Sequence, residues 1–133
     1  MRKKPELLEW QAETIRVTGF VDPQISLEPS KWWNSVAGGP AETSVSKPKA
    51  GYFQEDGIYE SGKLILRIQG SRIDWLFAPN VENKTLSEEY PTLGPFRRSL
   101  EVFIPVIFHW IKLGLCPPLQ LLSYGATLQY IVD

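Results

Sequence analysis

The sequence predicts an α+β domain, an antiparallel sheet of about five strands with two helices packed on one face. Three features predict it: a hairpin-like run from Lys63 to Ala78, a long apolar-rich stretch opened by Gly94-Pro95, and a final segment whose apolar residues alternate. With 133 residues, one core over 1–133 is expected, and the chain could equally form the N-terminal part of a longer architecture.

The hairpin is the clearest local signal. Leu64 to Gln69 and Arg72 to Phe77 flank Gly70-Ser71, a two-residue turn with glycine first, and that turn determines the register. Ile68 then faces Ile73, Leu66 faces Trp75 and Leu64 faces Phe77 on an apolar side. Gln69 with Arg72, Arg67 with Asp74 and Ile65 with Leu76 share the other.

Before the hairpin, Ile15, Val17, Gly19 and Val21 alternate with Arg16, Thr18 and Phe20, which predicts a strand over 13–21 ended by Asp22-Pro23. A short helix over 29–37 follows, with Pro29 in the first turn and Gly38-Gly39 as its stop. Adjacent side chains on a helix point about 100° apart, so of Trp32 and Trp33 one is expected in the core and the other at its edge. The proline- and glycine-interrupted stretch 43–53 is expected to be an irregular edge strand. Residues 80–92 are polar and lack either periodicity, which predicts a solvated loop.

The main helix is expected over 95–113, stopped by Gly114 with Pro117-Pro118 beyond. On a wheel of 100° per residue its polar residues occupy an arc of roughly 120°. Phe96, Leu100, Phe103, Ile104, Ile107 and Ile111 form one apolar stripe. Val102, Val106, Trp110 and Leu113 widen it to roughly 200°, and Phe108 falls inside the polar arc. One sheet covers about 100° of a helix, so a second contact is required. Pro105 removes one helical hydrogen bond and predicts a kink. The last strand is expected over 119–132, with Leu122, Tyr124, Ala126, Leu128, Tyr130 and Val132 on one face.

Composition excludes several function classes. A net charge of −1 supplies no field to concentrate nucleic acid, so that partner is disfavoured. Cys116 is the single cysteine, which excludes an internal disulfide and multi-cysteine metal sites and fits a reducing, cytoplasmic location. The apolar run Val102 to Leu115 is shorter than the ~20 residues of a membrane span and is broken by Pro105, His109 and Lys112, so no membrane partner is expected. Asn83-Lys84-Thr85 matches a glycosylation sequon and is read as chance.

No catalytic or metal set emerges. His109 is the single histidine and lacks a second group to orient it; Cys116 follows it without an activating neighbour. Asp74 reads as half of an ion pair with Arg67, and Glu55, Asp56 and Glu60 read as a solvated turn. Arg97 and Arg98 stand at a helix start, where the dipole disfavours cations, and so draw notice as a contact for an anion or partner. No residue pattern calls for a cofactor.

The tryptophan pair, the strand Arg72-Ile73-Asp74-Trp75-Leu76, Leu93-Gly94-Pro95-Phe96 and Tyr124-Gly125 together resemble a loosely defined group of uncharacterised bacterial proteins. The resemblance covers most of the chain and implies no activity, only that relatives can extend beyond the position matching Asp133. The expected function is protein binding, as an accessory subunit or a homo-oligomer, through Val102, Val106, Phe108, Trp110 and Leu113. The alternative is a small-molecule pocket between the main helix and the sheet, lined by Trp75, Tyr124 and Trp110. An enzyme of unrecognised class is the least supported reading.

Overall fold

Gly70 has φ +60 while Ser71 does not leave the negative region, so glycine comes first in a two-residue turn as its position requires. The hairpin it closes, β4 (Gly62–Gln69) and β5 (Arg72–Pro79), pairs in the register read from the turn, Ile68 with Ile73, Leu66 with Trp75 and Arg67 with Asp74. A computed structural model describes residues 6–80 and 91–130 of the chain. The expected loop 80–92 and the sequon at Asn83 therefore lie almost wholly outside the described residues.

Around that hairpin stand β1 (Gln11–Phe20), β2 (Thr43–Lys47), β3 (Tyr52–Tyr59) and β6 (Leu121–Gln129). The six strands form one antiparallel sheet in the order β2-β3-β4-β5-β1-β6. The irregular strand expected over 43–53 is in fact two strands. Pro48–Ala50 forms a 3-10 turn and Gly51, at φ +64, reverses the chain, so β2 becomes the edge while β3 runs on to pair fully with β4. The strand expected over 13–21 begins earlier, at Gln11. A bulge between Ala12 and Thr14 lets Ala12 and Ile15, three residues apart, both face the core.

Both helices cover the same face of the sheet. Pro29–Lys31 makes a 3-10 turn that leads into α1 (Trp32–Ala37), which Gly38 ends at φ +81. Both tryptophans of α1 are buried, which corrects the expectation of one at the edge. Their divergence of about 100° gives each its own partner. Trp33 turns to the sheet, donating from Nε1 to the Leu64 carbonyl at 3.0 Å, and Trp32 turns to the second helix, meeting Trp110 at 5.4 Å between ring centroids.

That helix, α2 (Phe96–Lys112), runs continuously through Pro105. Its start is tied to β1 by backbone hydrogen bonds from Leu93 to Ala12, from Ala12 to Gly94 and from Phe96 to Trp10, at 2.7–2.8 Å. Phe103, Val106, Ile107 and Trp110 point at the sheet, where Phe103 stacks on Phe77 and Trp110 meets Trp75.

Two backbone positions test this packing. A Cβ on Gly57 would lie 3.0 Å from the Trp33 ring and 3.1 Å from the Glu42 nitrogen, so Gly57→Ala is expected to cost about 1–3 kcal/mol in urea unfolding. Glu60, in the β3–β4 turn, holds a left-handed φ of 54, and Glu60→Gly is expected to stabilise by about 0.5–1 kcal/mol in the same assay.

Candidate partner-binding face

α2 lies over β1, and β6 projects beyond it as the edge of the sheet. Register places Leu122 opposite Gly19 and Tyr124 opposite Val17, on the helix-bearing side of the sheet. No described residue roofs them: Leu122 is 52% and Tyr124 48% exposed, beside Phe108 at 56% and Ile111 at 45% on the flank of α2. Leu113 is exposed as well, but about 180° round the helix from Ile104, on the other flank of α2. Between helix and strand lies an open cleft of about 280 Å³, floored by Val17 and walled by Ile104, Ile107, Phe108 and Ile111 on one side and Leu122 and Tyr124 on the other.

The structure separates the residues that the wheel grouped as a contact arc. Phe108 and Leu113 are exposed, Val102 is half-buried, and Val106 and Trp110 are core residues at 2% and 1% exposure. The correction has a physical cause: part of the second contact that the wide apolar arc demanded is made within the chain, where α1 sets Trp32 against Trp110. With Trp110 drawn inward, Ile104, Phe108 and Ile111 turn toward β6. Trp75 is likewise fully buried and lines no part of the cleft, so the pocket expected from Trp75, Tyr124 and Trp110 exists only at Tyr124. Ile111 and Leu122 were not singled out in the sequence, because which strand is an edge is not written in its periodicity.

The polar candidates resolve into pairs. Arg97, out of place beside the helix dipole, is paired with Glu9 at 3.2 Å. Asp74 is buried and bonded to the Thr18 hydroxyl and to Arg72 at 2.9 Å, correcting the expected partner Arg67, which instead donates to Gln54 at 2.8 Å. The reason is local: Arg72 lies two residues along β5 on the same face, and Gln54 is Arg67's neighbour on β3. Glu55 and Asp56 belong to β3 rather than to a turn, and Asp56 is buried against Lys63 at 3.5 Å.

His109 is exposed on α2. Burial pushes the Cys116 thiol up and so away from the nucleophilic thiolate, and its sulfur donates to the Pro117 carbonyl at 3.4 Å. Among the described residues no cluster of three or more His, Cys, Asp or Glu could hold a metal ion, and no helix is long and apolar enough to cross a membrane.

No family model, curated protein or solved structure matches the chain.

Desolvation raises the Glu55 carboxyl above its ordinary range, partly offset by a hydrogen bond from Ser44. A raised folded-state value means that ionising Glu55 opposes folding, so its penalty grows as pH climbs from the unfolded value through the folded one. Glu55→Gln is therefore expected to raise the melting temperature at neutral pH, with the gain vanishing below the ordinary carboxylate range. Thermal unfolding from pH 3 to 8 checks the sign.

Proposed function

We propose that this chain is a protein-binding module of the cytoplasm that docks through the face shared by α2 and β6. One observation carries the reading: Phe108, Ile111, Leu122 and Tyr124, each about half exposed, adjoin one another across the cleft. Single exposed apolar residues are ordinary on a protein surface, whereas a contiguous patch from two elements marks a contact surface. Aromatic residues inside such patches are the usual anchors. The ionic groups of the opposite sheet face are largely engaged with each other, as Asp74 with Arg72 and Asp56 with Lys63, which leaves that face fewer unmet interactions.

A second reading, a small-molecule site, draws on the apolar cleft and the hydroxyl of Tyr124 at its wall. At about 280 Å³ the cleft is at the small end of the roughly 300–1,000 Å³ of ligand sites, and it is open to one side where such sites bury most of the ligand's surface. Its openness therefore favours a surface contact.

Photo-cross-linking in cells that make the protein tests the reading. A benzophenone side chain at position 111 is expected to yield a cross-linked protein product, and the same group at position 47, on β2, to yield none. Absence of a product from position 111 removes the proposal.

A further inference from the structure

β2 and β6 are the two edges of the sheet, and they are built differently. β2 is five residues long, rich in hydroxyl side chains, ends in Lys47 and runs into Pro48. Shortness, lysine and proline are the devices by which edge strands avoid pairing with another chain. β6 is nine residues long and contains no charged residue and no proline. The one irregularity in its pairing is the extra residue of β1, so β6 itself is unbulged. Its outward backbone N–H and C=O groups have no strand neighbour among the described residues.

We infer that the partner on the α2/β6 face is a second copy of this chain, joined β6 to β6 in antiparallel pairing about a two-fold axis normal to the sheet. The inference rests on the binding reading above and names its occupant.

Three arguments select a copy over an unrelated protein. A two-fold contact is made by the same patch on both copies, residue i of one meeting residue j of the other, so a patch bearing one sign of charge would meet that same sign. β6 carries no charged side chain, and its one phenol, Tyr124, is neutral at physiological pH even at the ordinary value of 10.0, which burial raises further.

The second argument is geometric. An axis normal to the sheet keeps both copies of α2 on the same side of one continuous sheet. From β1 across two copies of β6 to the partner's β1 is three strand spacings, about 14 Å. Helices about 10–12 Å across would leave a gap of only a few ångströms between them. Phe108 and Ile111 project into that gap from its walls, with Leu122 and Tyr124 rising from its floor. The third is area. Phe108, Ile111, Leu122 and Tyr124 expose on the order of 400 Å², about half of the roughly 800 Å² per partner of a standard interface. The paired backbones of β6 supply further contact area.

Sedimentation of the purified chain at tens of micromolar, with amide hydrogen exchange along β6, decides the matter. The expected result is a dimer in which the amides of β6 are protected continuously. Tyr124→Lys and Phe108→Asp, both at exposed positions, should each weaken association at least thirtyfold. Alternate β6 amides should then become exchangeable, while Lys47→Glu on the other edge changes nothing. Should Tyr124→Lys fail to fold, Phe108→Asp carries the same test.

A purified chain that sediments as a monomer throughout overturns the inference, and so does a dimer indifferent to both substitutions. A monomer that still cross-links from position 111 to a different protein overturns the two-copy arrangement and leaves the binding reading intact. A monomer with no such product removes both.

Discussion

Trp110 sits between two other indoles, 5.4 Å from Trp32 of α1 and 5.8 Å from Trp75 of β5, with the rings tilted by 60° and 66°. All three are buried, and through them two helices and the central sheet share one contact. Tilted and edge-on aromatic pairs contribute about 0.5–1.5 kcal/mol each beyond the apolar area they bury. The six residues of α1 are far too few to hold a helix in water, so α1 is helical because Trp32 and Trp33 have somewhere to pack. The arrangement carries a cost as well. The indole N–H groups of Trp75 and Trp110 find no acceptor among the described residues, and each group so placed costs about 1–3 kcal/mol. Shape, rather than hydrogen bonding, therefore keeps these two rings where they are, in contrast to Trp33 with its bond to Leu64.

The position of Trp110 also sets the roll of α2. At 100° per residue, a helix that turns Phe103, Val106, Ile107 and Trp110 toward the sheet must turn Ile104, Phe108 and Ile111 to one side. That side is where β6 extends past the cover of the helix. The open apolar face thus follows from the aromatic contact at the centre together with a sheet one strand wider than α2 can roof. Moving the helix to cover Leu122 and Tyr124 would withdraw Trp110 from Trp75.

Local chemistry was legible in the sequence where it was short-ranged. The Gly70-Ser71 turn gave the full β4–β5 register, Gly38 stopped α1, and the alternation in β1 and β6 assigned their faces correctly. Long-range choices were not legible. Periodicity says which side chains share a face but not which strand ends as an edge, so Leu122 and Ile111 looked like core residues. Asp74 looked like Arg67's partner because register made them neighbours, yet same-strand Arg72 and cross-strand Thr18 reach it. A wide apolar arc on α2 correctly called for a second contact, but α1 supplied part of it and took Val106 and Trp110 out of the exposed set. The division of the 43–53 stretch was missed because a 3-10 turn of Pro48-Lys49-Ala50 reverses a chain without the dipeptides that announce a hairpin.

β6 is held at both ends and along one edge. Leu119 lies over Gly19, within 2.9 Å of where a Cβ would stand, and Tyr130 stacks on Trp10 at 5.2 Å and 27°. Between these clamps Leu122 and Tyr124 face open cleft, and β1 is the strand's one ladder neighbour among the described residues. A strand with one paired edge and a half-open apolar face belongs to the less stable part of a molecule, where local opening costs least. Anything that binds only the form with β6 in place lowers that form's free energy by RT ln(1 + [L]/Kd), about 2.7 kcal/mol at a hundredfold excess over Kd. Because the exposed side chains belong to the edge strand itself, that stabilisation acts first on β6. On the proposed reading, order in β6 and occupancy of the face are one equilibrium, and a partner covering Leu122 and Tyr124 holds the strand more firmly in the sheet.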